Sequence, residues 1–118
     1  MSMRPTILLL TTLLISAPLA ATEPDEAAAK AWKRGMCKAC HGKDGSADTP
    51  AGRNLGARDL RSEEVQELSD DEIEKVIREG PNDMPSFDGL FSDEEIKAVI
   101  RYVRSFAEQD RESDGDSP

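Results

Sequence analysis

Two cysteines and one histidine stand together in Cys37-Lys38-Ala39-Cys40-His41, and no other cysteine or histidine occurs in the 118 residues. Thiols three residues apart at a helix end can reach the two vinyl groups on one edge of a porphyrin. The adjacent imidazole then points at the iron from the same side. This is the C-x-x-C-H pattern of covalent haem attachment. Three other chemistries use parts of it. A redox-active disulfide also takes C-x-x-C, usually beside a βαβ pattern, and no segment here reads as a strand. A structural zinc site wants four protein ligands, and the chain offers three. A plain disulfide across two residues is strained and leaves His41 without a task. Haem attachment is the reading that uses all three residues.

An iron held by His41 needs a second axial group, and no second histidine is present. Methionine opposite histidine is the pairing that raises potential in haem electron carriers. Met1 and Met3 fall in a removable leader, and Met36 is tied to the attachment side by its neighbour Cys37. Met84 remains, 43 residues after His41, and Pro85 stiffens its loop. The competing reading of Met84 is a flexible side chain filling a gap.

The elements that position these residues read as helices. Pro24, Asp25 and Glu26 suit a helix start, and Ala27 to Lys38 continues as helix. Residues 42–59 hold Gly42, Gly45, Pro50, Gly52 and Gly56 and read as an irregular loop. Ser69-Asp70-Asp71-Glu72 and Ser92-Asp93-Glu94-Glu95 are capping boxes. The first opens a helix with Ile73, Val76 and Ile77 on one face, stopped by Gly80 and Pro81. The second opens a helix with the stripe Ile96, Val99, Ile100, Val103 and Phe106. Pro81 to Leu90, which contains Met84, is a loop. The acids at Asp70-Asp71 and Asp93-Glu94-Glu95 suit helix starts rather than acid–base chemistry.

Residues 1–21 have the layout of a secretory signal peptide: Arg4, an apolar run from Ile7 to Leu19, then Ala20 and Ala21. The run is 13 residues, short of the roughly 20 a spanning helix needs. Cleavage after Ala20 or Ala21 is expected, with an uncleaved anchor as the alternative. Export would place the protein in the periplasm, with no stable membrane insertion after cleavage. Residues 22–107 then form one domain, and the acidic tail 108–118 is expected to be disordered. A domain this small, with aromatics at 4% and charged residues at 33%, needs a staple such as a cofactor. The net charge of −9 disfavours nucleic-acid binding. Charge is unevenly spread: residues 27–61 hold eight basic and three acidic side chains, residues 62–107 five basic and thirteen acidic. Lys38 and Lys43 flank the attachment site, so a protein partner is expected to present acidic groups there.

The segments C-K-A-C-H-G at 37–42, R-N-L at 53–55, V-I-R-E-G at 76–80, M-P-S-F at 84–87 and E-E-I-K-A-V-I-R-Y-V-R-S at 94–105 resemble class I c-type cytochromes. That group includes small monohaem carriers, cytochrome c6-like proteins and oxidase-linked domains, and the likeness spans nearly all of residues 25–107. It implies an all-α, cytochrome c-like fold of three to four helices with long loops, wrapped around one covalent haem c. It implies that the first and last helices meet near the haem, with Trp32 and Tyr102 at that contact. Family members often have proline where Arg53 stands, and that residue's carbonyl holds the axial histidine ring. The resemblance therefore makes Arg53 a candidate, by its carbonyl toward His41 or its guanidinium toward a haem propionate. The function implied is one-electron transfer between redox protein partners, without catalysis. Alternatives are a dedicated haem subunit or partner of a larger respiratory oxidoreductase complex, or a gas-binding or peroxidatic haem protein with an open sixth position.

Overall fold

The computed structural model describes residues 2–3, 12–15 and 25–115, with side chains described as far as Gln109 at the C-terminal end. The expected signal peptide falls largely outside these residues. Six helices follow in order: α1 (Glu26–Arg34), α2 (Cys37–His41), α3 (Pro50–Leu55), α4 (Glu63–Gln66), α5 (Asp70–Glu79) and α6 (Asp93–Gly115). The described residues contain no strand, and the all-α expectation holds. None of the helices among them is long and apolar enough to cross a membrane.

Local chemistry sets where each helix starts. The Asp25 carboxylate accepts from the Ala28 amide at 2.8 Å and opens α1. Thr49 accepts from Gly52 at 2.8 Å, with Pro50 following, and opens α3. Ser62 caps α4 in the same way. Both expected capping boxes are formed. Ser69 and Glu72 exchange bonds of 2.7 and 3.1 Å, and Ser92 and Glu95 exchange bonds of 2.9 and 3.1 Å.

The helix count differs from the expected three to four for identifiable reasons. The run from Ala27 to Lys38 is not one helix. Gly35 ends α1, and Met36 turns left-handed at φ 53°, so the chain restarts as α2 at Cys37. The glycine-rich stretch 42–59 contains α3 because Thr49-Pro50 is a helix start. At the other end, α6 runs from Asp93 through Gly115.

The core lies where α1 and α5 pack on α6. Ala28 and Ala31 are buried on α1, and their small side chains let that helix approach closely. All five stripe residues of α6 are buried, Phe106 and Ile96 completely. From α5, Ile73 and Ile77 are buried, while Val76 is partly exposed. Asp25 at the start of α1 pairs with Arg101 at 2.7 Å, and Arg34 at its end pairs with Glu95 at 2.6 Å. The two helices therefore run in opposed directions, which brings the end of α1, and α2 after it, to the N-terminal end of α6.

Candidate functional site

The left-handed turn at Met36 aims α2 away from the axis of α1. Cys37 and Cys40 are half-buried and free of a disulfide, and His41 closes the helix. Burial pushes the Cys37 thiol up to about 11. Such a thiol stays protonated at neutral pH and is a poor nucleophile in the folded chain.

The imidazole of His41 is fixed from behind. Its Nδ1 lies 2.9 Å from the backbone carbonyl of Arg58. A carbonyl oxygen only accepts, so Nδ1 donates and Nε2 keeps its lone pair. A metal-binding histidine is commonly oriented by such a bond. Burial lowers the His41 pKa, against a smaller upward pull from the Arg58 carbonyl. The neutral ring, the form that binds iron, is the favoured one.

The carbonyl of Arg53 is not the one at His41. The carbonyl on His41 belongs to Arg58, five residues further on, and the Arg53 guanidinium is exposed and pairs with Asp48. Insertion of α3 explains the shift: Arg53 sits within that helix, and the chain reaches the histidine only after Gly56 has turned it left-handed at φ 67°.

A buttress that sequence reasoning missed supports α2. The Thr49 hydroxyl donates toward the carbonyls of Ala39 and Cys40 at 2.9 and 3.0 Å, while capping α3 with its lone pair. The Ala47 amide donates to the His41 carbonyl at 2.8 Å. At Gly52 a Cβ would run into the carbonyl oxygens of Cys40 and Ala47, so α3 packs on α2 only with glycine there. The Thr49-Pro50 helix start was the readable signal. The Arg58 carbonyl had none, because a backbone group leaves no mark on residue type.

Trp32 and Tyr102 meet as expected. Their rings stack at 4.6 Å and 13°, and Phe106 stands edge-on to both at 5.4 Å. Trp32 also lies 6.4 Å from the His41 ring, tilted by 46°. One buried indole thus connects the attachment helix to α6. Met84 is half-buried in the loop after α5. It packs on the same core as Cys37, Leu60, Leu68 and Tyr102.

These residues suit a covalent porphyrin. Two half-buried thiols sit three apart on one helix, and an oriented imidazole follows with Nε2 unprotonated. Leu60, Leu68 and Met84 are partly buried and packed on the same core, so apolar groups lie near the attachment segment in the fold. A bare metal ion fits less well: among the described residues, no group of three or more His, Cys, Asp or Glu side chains could hold one. The site and the helices around it define a small helical domain built to carry haem on a Cys-x-x-Cys-His segment.

The comparisons agree. The family model described as cytochrome c oxidase, cbb3-type, subunit III matches residues 23–103. The chain is also 32% identical over 76 residues to cytochrome c6 of Leptolyngbya boryana, covering 62% of this chain and 82% of that protein. The chain belongs to the cbb3-type subunit III family of c-type cytochromes. Its cofactor is covalent haem c, and its chemistry is haem-based electron transfer.

Proposed function

We propose that this chain is an exported, periplasmic electron carrier whose single haem c is attached at Cys37 and Cys40 and ligated by His41 and Met84. The observation that carries the reading is the His41 Nδ1 bond to the Arg58 carbonyl, which leaves the Nε2 lone pair free to bind iron. Haem held by Cys37, Cys40, His41 and Met84 would supply reversible one-electron storage. The chain's own residues do the rest. His41 is held in one tautomer, Trp32 and Phe106 pack the attachment side against α6, and Met84 offers a thioether from a loop tied to the same core.

The partner face favoured by charge is the attachment segment. Most arginines are tied to carboxylates, as in Arg34–Glu95, Arg58–Glu64 and Arg101–Asp25. Lys38 and Lys43 are exposed and lie beside the cysteines. Redox partners presenting acidic groups would be steered there. A second reading is a dedicated subunit of a larger respiratory complex, favoured by the oxidase-subunit description of the matching family.

Replacing Met84 with alanine in the haem-loaded protein tests the ligation. Loss of the weak far-red band of a sulfur–iron bond, with new carbon monoxide binding, is expected. An unchanged spectrum would remove Met84 from the iron. Co-purification with a larger complex would select the subunit reading over the free carrier.

A further inference from the structure

The segment carrying Met84, residues 81–92, is joined to the last turn of α5 at several points. The Phe87 amide donates to the Ile77 carbonyl at 3.1 Å, and the Ser86 hydroxyl donates to the Arg78 carbonyl at 2.6 Å. Gly80, at φ 59°, lets the segment fold back so tightly that a Cβ there would collide with the backbone of Met84, Pro85 and Ser86. The Arg78 guanidinium then touches three carboxylates. It donates to Glu74 on its own helix at 2.9 Å and to Asp93 at the start of α6 at 2.7 Å, and it reaches Asp88 inside the segment at 3.4 Å. One side chain thus contacts the helix before the segment, the segment itself and the helix after it.

We propose that Arg78 is a positioning residue for Met84: by gathering Glu74, Asp88 and Asp93 it holds the segment closed and keeps the thioether in reach of the iron. The inference rests on reading Met84 as the axial ligand. A thioether is a neutral, weak donor, so its time on iron depends on how well the loop is organised beforehand. A lone exposed ion pair would add little. Here one guanidinium, only 28% exposed, separates three carboxylates. Its removal deletes the attraction and leaves three like charges close together, which pushes the segment away from α5. Lysine would restore the charge but not the planar fork that reaches several partners at once.

The test uses the full chain carrying covalent haem, as wild type, Arg78→Leu and Arg78→Lys. It reads the far-red band of the ferric protein and the rate of carbon monoxide binding to the ferrous protein. Arg78→Leu should weaken the band and bind carbon monoxide about tenfold faster, a size typical of breaking a coupled charge network. Arg78→Lys should lie between. Adding Asp88→Asn to Arg78→Leu should recover part of the band by relieving repulsion. A wild-type band and carbon monoxide rate in Arg78→Leu would overturn the proposal. Should Arg78→Leu fail to mature, Arg78→Lys is read instead: a weaker band supports the proposal and an unchanged one overturns it. A wild-type protein without the band would overturn the Met84 reading, and this one with it, before any substitution is made.

Discussion

The ring of His41 is held by the backbone of Arg58, through a 2.9 Å bond from Nδ1 to the carbonyl oxygen. The side chain of Arg58 points elsewhere, to an exposed pairing with Glu64 at 3.3 Å. Arg58→Ala should therefore leave the reduction potential close to wild type, because the orienting group survives and a surface ion pair contributes little. Arg53→Ala should be equally silent, its guanidinium being engaged with Asp48. Voltammetry on both holoproteins checks this. A marked shift in either would show that a side chain, not a carbonyl, tunes the site.

Gly52→Ala probes the seam between α2 and α3. Its methyl would meet the Cys40 and Ala47 carbonyl oxygens, so one helix must shift. A cost of roughly 1–3 kcal/mol is expected, as for other overpacked positions. Thermal unfolding followed by circular dichroism measures it. Thr49→Val, which removes the hydroxyl bridging the two helices, should also lower stability, with a smaller loss of about 1 kcal/mol.

Phe106→Ala tests the contact of α1 with α6. Phe106 is completely buried against Trp32, Tyr102 and Gly45. A loss of about 3–5 kcal/mol is expected, enough to unfold much of the protein unless the haem links hold it. Denaturant titration of the holoprotein gives the number, and a loss below about 1 kcal/mol would mean the core lies elsewhere.

Acid should weaken the α1–α6 pairing in a defined window. The Arg101 guanidinium holds the Asp25 carboxyl below its ordinary 3.8, and the Ser92 amide, then Arg34, holds Glu95 below 4.5. Groups with depressed folded values stabilise above the unfolded pKa and lose that contribution as pH falls through the folded one. The contribution of these two carboxylates should thus be constant from neutral pH to about 5 and be lost below about 4. In Asp25→Asn the acid limb should be shallower. An identical melting profile in both proteins between pH 5 and 3 would contradict the assignment.

Both capping boxes and the α6 stripe were legible because each rests on a local rule: a cap three residues from its acid, a period of 3.6. Trp32 and Tyr102 came from the family likeness, and the two rings do stack. What escaped depends on backbone geometry or on packing. The left-handed turn at Met36 breaks a run that propensity alone joins, because Gly35 must lie against Phe91 and the Cys37 sulfur. Short α3 and α4 are held by single caps and tertiary contacts rather than by amphipathic length. Val76 follows the helical period yet stays partly exposed, while Ile73 and Ile77 are buried. Arg53 was assigned by position in a family pattern, and the carbonyl moved to Arg58 with the register of α3.

Electron transfer by this chain depends most on covalent haem at Cys37 and Cys40. The mass of the chain, expressed with haem-maturation machinery and denatured in acid, decides it. The predicted result is a polypeptide heavier by one haem, whose colour stays with the protein through extraction, and loss of both in Cys37→Ala/Cys40→Ala. A colourless chain of unmodified mass, with both thiols alkylatable or joined to each other, would contradict it.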